Sequence, residues 1–170
     1  MILPMHLSGT PRQTQPLDHG WTLGWDGAVP MPARVPGYAQ HDLFDAGLLP
    51  DPFWGTNEHA WQAACDRDYT YACSFEVTAD MLAMPRVDLV FDGIDTCAAI
   101  ELNGHAIASV DNMYRTWRFS VKDALKPGRN TLRVVIASPI RAGAQAQQAH
   151  EHESCLGPRC KEPRVYLRKM

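Results

Sequence analysis

The stretch Asp88-Leu-Val-Phe-Asp-Gly-Ile-Asp95 is followed by Cys97-Ala-Ala-Ile-Glu-Leu-Asn-Gly104 and then by Asn112-Met-Tyr-Arg-Thr-Trp117. The first two segments have the apolar, β-branched composition of strands separated by a tight turn. Asn103-Gly104 predicts a hairpin, because these two residue types accept the positive φ angles of a type I′ turn. This part of the chain therefore predicts antiparallel strands.

Period-two alternation extends this prediction in both directions along the chain. In the clearest strand, Tyr69, Tyr71, Cys73, Phe75 and Val77 share one face. Lys126-Pro-Gly-Arg129 fits a type II turn, with proline at its second position and glycine at its third. In all, seven strands are predicted, at 21–25, 69–77, 86–91, 97–102, 105–110, 117–121 and 131–137. Seven short strands without repeated strand–helix alternation predict an all-β sandwich of the jelly-roll type.

The remaining segments predict loops and one helix. Residues 29–57 are expected to be mostly loop, with a short helical turn around residues 41–44. Residues 141–150 favour a short helical insertion that has no apolar face. Residues 1–20 are expected to be an irregular lead-in, so that 21–170 form one sandwich domain with long loops.

Composition excludes several classes of protein. A formal charge of −3 in 170 residues gives no field that would attract nucleic acid or an anionic membrane. We find no apolar run long enough to span a bilayer. The beginning of the chain lacks the basic start of a secretory signal, which favours a cytoplasmic location unless a signal lies upstream. Five cysteines without framework spacing predict reduced thiols and no disulfide scaffold.

A further set of short motifs keeps a constant order along the chain. In sequence they are Trp21-x3-Trp25, Val35-Pro-Gly37, His41-x-Leu43, Leu49-Pro-Asp-Pro-Phe53, Asn57-Glu58, Trp61, Asp68-x2-Tyr71, Phe75, the opening stretch, Lys126-Pro-Gly-x-Asn130-x-Leu132 and Arg168-Lys169. Each motif alone is weak, but the ordered set resembles the N-terminal sugar-binding, galactose-binding-like domain of β-mannosidases in glycoside hydrolase family 2. Tyr69 departs from the family pattern, which usually has tryptophan there, although an aromatic is retained.

The resemblance implies a function for a larger protein. Such enzymes are retaining glycosidases that hydrolyse terminal non-reducing β-D-mannose residues without a metal or cofactor. Their two catalytic glutamates lie in a (β/α)8 barrel that this sequence does not contain. The resemblance therefore implies a non-catalytic domain that supports the barrel, partners it within one polypeptide and shapes one side of the β-mannoside pocket. We expect no catalytic residue here, and no β-mannosidase activity from this chain alone.

The candidate residues for the rim of the substrate pocket come from the long loop. Trp54 and Trp61 flank Asn57-Glu58 in a segment without a strand pattern, and long ordered loops often carry function. By the resemblance, this loop faces the barrel. Packing between domains is an equally good explanation of these four residues. For Trp21, Trp25 and Trp117, which lie in strand patterns, core packing is the favoured interpretation.

Two other groups of side chains have simpler explanations than chemistry. A retaining glycosidase needs two carboxyl groups about 5 Å apart, and the nearest local candidates are Asp92, Asp95 and Glu101. The aspartates are predicted to cap turns, and Glu101 to face solvent on a strand. His150, His152, Cys155 and Cys160 could ligate zinc, but their spacing matches no common zinc site. We therefore predict no metal.

The end of the sequence raises an alternative. In the family, the Arg-Lys pair is followed by a Gly-Trp-Asp-Trp-Gly-Pro segment, whereas this sequence ends at Met170. We therefore expect a domain that is truncated before its closing strands. The alternative is a free-standing carbohydrate-binding module, and an interaction domain without sugar affinity is a third possibility. The order of the motifs favours the enzyme domain.

Overall fold

The computed structural model describes residues 13–149. Its strands are β1 (Trp21–Gly24), β2 (Met31–Ala33), β3 (Tyr69–Val77), β4 (Asp88–Phe91), β5 (Ala98–Leu102), β6 (His105–Val110), β7 (Trp117–Ser120) and β8 (Gly128–Ile136). Its α-helices are α1 (Ala39–Asp45), α2 (Glu58–Cys65), α3 (Ala79–Ala83) and α4 (Pro139–Ala149), and Lys122–Ala124 form a 3₁₀ turn. Residues 13–20 contain no helix or strand.

The strands form two antiparallel sheets. Six of them pair in the order β2-β1-β3-β8-β5-β6, and β4 pairs with β7. The longest pairing joins β3 to β8 from Tyr69↔Ile136 to Val77↔Gly128. This architecture confirms the all-β sandwich expected from the strand pattern.

The core lies between the two sheets. On the inner face of the large sheet, Tyr71, Ile100 and Leu132 are almost fully buried. Phe91 of β4 and Phe119 of β7 pack against this core from the other side, with their ring centroids 6.4 Å apart. The alternating faces predicted for β3 are confirmed by its burial pattern, and β8 alternates in the same way, with Leu132 and Val134 buried.

Two turns meet at one end of the large sheet. Asn103 and Gly104 have φ angles of 54° and 81°, as the predicted Asn-Gly hairpin requires, and Gly128 has the positive φ (81°) of the predicted type II turn. The Asn103 amide donates to Asn130 Oδ1 at 2.7 Å, and Asn130 donates to the carbonyls of Lys126 and Gly128. Because Asn130 is fully buried, these bonds satisfy an amide that water does not reach.

The prediction that residues 29–57 are mostly loop with a short helical turn was wrong in two places. β2 forms there as an edge strand, where Pro32 is tolerated. The predicted helical turn is part of the longer helix α1. Just beyond this range, α2 begins at Glu58 and was also not predicted. The strand predicted at 131–137 begins at Gly128, and α3, capped by the Thr78 hydroxyl, was not predicted.

The helical insertion is present, but it is not fully solvated. It begins at Pro139, and Gly143 in its first half is buried, although the sequence predicted a helix without an apolar face. The buried Ser138 caps it, since its hydroxyl accepts from the Arg141 N–H at 3.1 Å. The last residue of the predicted helical segment, His150, and the other three possible zinc ligands lie outside the described residues.

Candidate functional site

Residues 46–57 connect α1 to α2. The second part of this connection, residues 50–57, is closed by hydrogen bonds within itself, and we call it the 50–57 loop. Asp51 Oδ1 accepts from the Phe53 N–H at 2.9 Å, and the Asp51 carbonyl accepts from the Asn57 side-chain amide at 2.9 Å. The Trp54 carbonyl accepts from the Asn57 N–H at 3.1 Å. A loop with so many internal bonds holds its exposed side chains in defined positions.

The exposed side chains of this loop are aromatic. Phe53 is 94% exposed and Trp54 is 74% exposed. Phe44 and Leu48, which lie in or just after α1, are also exposed. Large apolar side chains gathered in one region of a surface indicate a contact site for a ligand or another domain. Trp54 is thus exposed, and its role at a pocket rim stays a prediction.

Trp61 differs from Trp54 in its surroundings. It is half-buried in the second turn of α2, its ring packs against Phe44 at 5.9 Å, and its indole N–H donates to the Pro50 carbonyl at 2.8 Å. Asn57 is likewise committed to bonds inside the loop. Glu58, in contrast, is exposed in the first turn of α2. The structure thus separates the four predicted rim residues into two that are exposed and two that support the loop.

A buried carboxylate fastens α1 to β2. Asp42 is 5% exposed and accepts from the Arg34 backbone N–H at 3.2 Å and from Arg34 Nε at 3.1 Å. The hydrogen bond to Asp42 raises the pKa of Arg34. Arg34 also contacts Asp45 and His41 on the outer side of the helix. Behind this pair, burial and the Asp42 charge raise the pKa of Tyr71 above its usual range. This anchor was not predicted, although Arg34 immediately precedes the Val35-Pro-Gly37 motif and Asp42 is the middle residue of His41-x-Leu43.

The carboxylates considered for catalysis have ordinary structural roles. Glu101 on β5 accepts from Arg133 of β8 at 2.8 Å, directly across the strand pair, and is half-buried rather than fully solvated. Asp95 accepts from the Thr96 hydroxyl. The turn-capping role of Asp92 stays a prediction. Elsewhere, Asp66 and Asp68 bond Ser138 and both lie within 3.4 Å of Arg141, at the start of α4.

Burial disfavours the reactive form of one described thiol. Cys65, Cys73 and Cys97 are free, and burial raises the pKa of Cys73 to about 11, which disfavours the reactive thiolate. A concavity of about 210 Å³ lies beside β1 and β3 and includes Thr22 and Thr70, but none of the four rim candidates.

The described part of the chain holds neither a metal-binding cluster nor a membrane-spanning helix. Between residues 13 and 149, no cluster of three or more histidine, cysteine or acidic side chains could hold a metal ion. No helix in this range is long and apolar enough to cross a membrane.

For the tryptophans assigned to the core, Trp21 is buried, and Trp25 and Trp117 are half-buried against the core.

Comparison with known proteins gives a family. The model for the glycosyl hydrolase 2 galactose-binding domain-like family matches residues 12–170. The β-mannosidase of Bos taurus is 31% identical over 138 residues, which are 81% of this chain and 16% of that protein. β-Mannosidase A of Emericella nidulans is 35% identical over 135 residues, or 77% of this chain and 14% of that protein.

Solved structures agree with this result. The β-D-mannosidase from Dictyoglomus thermophilum superposes with a TM-score of 0.75 at 38% identity, covering 78% of this chain and 16% of that one. A β-glucuronidase from Ruminococcus gnavus shares the fold, with a TM-score of 0.56 at 21% identity. The chain thus spans only a small part of the length of its relatives. The resemblance inferred from the motifs is confirmed: this chain belongs to the galactose-binding-like N-terminal domain family of glycoside hydrolase family 2.

Proposed function

We propose that this chain is the N-terminal, non-catalytic domain of a retaining β-mannosidase that hydrolyses terminal non-reducing β-D-mannose residues. In this proposal the domain begins near Trp21, after an irregular lead-in, and continues beyond residue 170 in the longer polypeptide. It supports a catalytic barrel and contributes one side of its pocket. The proposal requires no metal or cofactor in this domain.

The observation that carries the proposal is the way in which the relatives match. The relatives compared above that are at least 30% identical are β-mannosidases, and the match covers 14–16% of each of them. A domain that recurs as a small part of larger enzymes of one activity supports the same arrangement here. Three described carboxylates, Glu101, Asp66 and Asp68, are paired with arginines, which agrees with structural roles for these three.

The 50–57 loop, together with the start of α2, is the part of the domain that we assign to the pocket rim. Trp54 offers an exposed aromatic face on which a sugar ring can stack. Glu58 offers an exposed carboxylate that can accept hydrogen bonds from sugar hydroxyls. Asn57 and Trp61, the other two candidates, contribute by holding the loop. Phe44, Leu48 and Phe53 supply apolar surface for contact with the barrel.

The test compares the 170-residue chain with a longer polypeptide that carries the barrel. With an aryl β-mannoside, we expect turnover by the longer protein only, and little turnover of the matching β-glucuronide or β-galactoside. Turnover by the 170-residue chain itself would contradict the non-catalytic assignment. Saccharide binding by this chain, with no activity in the longer protein, would favour the free-standing module.

A further inference from the structure

Three tryptophans share one kind of hydrogen bond. The indole N–H of Trp21 donates to the Leu17 carbonyl at 2.7 Å, that of Trp61 to Pro50 at 2.8 Å, and that of Trp117 to Asn112 at 3.0 Å. In each pair, the carbonyl lies in a non-regular segment that precedes the tryptophan in the sequence. The Trp61 bond is distinctive because the segment it holds carries the two very exposed aromatics Phe53 and Trp54.

The bonds of Asp51 and Asn57 shape the 50–57 loop from within, but Trp61 connects the loop to the body of α2. That helix is fastened to the domain near its end, where Ala64 is buried and its carbonyl accepts from the Tyr69 hydroxyl at 2.7 Å. The ring contact between Trp61 and Phe44 links the same point to α1. Trp61 therefore joins the loop to both helices.

We propose that Trp61 is a positioning residue for the aromatic pair Phe53–Trp54 and does not itself contact the substrate. Its N–H is already used by the Pro50 carbonyl, and part of its ring is covered by Phe44. By fixing the beginning of the loop, it sets where the Trp54 ring stands before a ligand arrives. A preorganised ring avoids much of the entropy lost when a mobile side chain is ordered on binding. The effect of Trp61 on substrate binding, which we call the functional link, rests on the proposed function. The effect of Trp61 on the position of the loop, which we call the mechanical link, can be tested without it.

The mechanical link is tested in the 170-residue chain with Trp61→Phe, which removes the N–H and keeps an aromatic ring against Phe44. Trp117→Phe is the matched control, because it removes the same kind of bond from another loop. We expect the amide hydrogens of Phe53 and Trp54 to exchange roughly 3- to 10-fold faster in Trp61→Phe, as the loss of one hydrogen bond implies. In Trp117→Phe they should exchange at the wild-type rate. Unchanged exchange in Trp61→Phe, or an equal increase in the control, would refute the proposal.

The functional link is tested by a double-mutant cycle in the longer polypeptide that carries the barrel. If Trp61 acts through Trp54, Trp61→Phe raises KM for an aryl β-mannoside several-fold with little change in kcat, and adds nothing to Trp54→Ala. Fully additive effects would show that Trp61 acts independently and would overturn the proposal. If Trp54→Ala leaves the kinetics unchanged while the exchange result holds, the rim assignment fails and the positioning role within the loop remains.

Discussion

The side-chain amide of Asn103, in the hairpin between β5 and β6, donates a 2.7 Å hydrogen bond to the side-chain oxygen of Asn130 in β8. The two residues are far apart in sequence. Asn103 also bonds the backbone beside the other turn, whereas Asn130 bonds the backbone of its own turn. Asn103 Oδ1 accepts from the Thr131 N–H at 3.0 Å, and Asn130 Oδ1 accepts from the Lys126 N–H at 3.0 Å. Two turns that could have formed separately are thus stabilised together.

We expect Asn130→Ala to lower the free energy of unfolding by about 2–4 kcal/mol, because it removes the side-chain partner of the Lys126 and Gly128 backbone groups and one of the two acceptors of the Asn103 amide. Asn130→Asp should also destabilise the protein, although it keeps the shape, because its second oxygen would face the carbonyls of Lys126 and Gly128. Urea unfolding measures both changes. An aspartate variant as stable as the wild type would show that shape matters here and the donor does not.

Asp42 and Asp45 both contact Arg34, but from different environments. We expect Asp42→Asn to lower the free energy of unfolding by about 1.5–3 kcal/mol, since Asp42 is buried and accepts two hydrogen bonds. Asp45→Asn should have a much smaller effect, because Asp45 is 49% exposed. Thermal or urea unfolding of the two variants makes the comparison. Equal losses would mean that the exposed ion pair, and not the buried anchor, fastens α1.

The pocket-rim assignment predicts a separation of activity from stability. In the longer polypeptide, Trp54→Ala and Glu58→Gln should each lower kcat/KM for an aryl β-mannoside several-fold. Because both side chains are exposed, the melting temperature should change little. Gln62→Ala, on an exposed position of the same helix, is the control and should leave both quantities unchanged. Wild-type kinetics in both Trp54→Ala and Glu58→Gln would show that the loop serves only packing.

Alkaline pH should destabilise the fold partly through Cys73. Burial raises the pKa of this thiol from 9.0 to about 11 in the folded state. The folded state thus favours the protonated thiol, so its contribution is complete below pH 9 and is lost as the pH rises toward 11. We expect Cys73→Ala to reduce the fall in unfolding free energy between pH 8 and pH 11. Because the packing cost of the substitution is present at both pH values, it cancels in this difference. Identical slopes for the variant and the wild type would exclude the thiol as a contributor.

Much of the sandwich could be predicted because its signals are local. The alternation along β3, the Asn103-Gly104 pair and Gly128 each follow from side-chain size or backbone freedom within a few residues. β2 could not be found in this way, since it is three residues long and contains Pro32. Its strand geometry depends on pairing with β1, which is tertiary information. α2 left a weak signal in Trp61, Ala64 and Cys65, whose helical spacing was obscured by the surrounding loop composition.

The four candidate rim residues could be named from the sequence, but their division of roles within the loop could not, and their place at a pocket stays a prediction. The sequence placed Trp54, Asn57, Glu58 and Trp61 in one segment, and the structure keeps them there. Which side chains are exposed depends on two backbone carbonyls, those of Pro50 and Asp51, which accept from Trp61 and Asn57. Every residue has such a carbonyl, so the residue types at these positions do not predict which carbonyl becomes an acceptor. The anchor formed by Arg34 and Asp42 depends on how α1 lies against β2, so it also could not be read from spacing.

The Asn103–Asn130 bond has a further consequence, for the alignment of strands during folding. Slipping β8 by one residue against β5 would move one asparagine about 3.3 Å past the other and break the bond. The same slip would turn Leu132 and Val134 toward water and bring Thr131 and Arg133 into the core. A misaligned sheet would therefore lose its polar tie and its apolar face in a single step. The bond thus favours the native register of β8 against β5 over registers shifted by one residue.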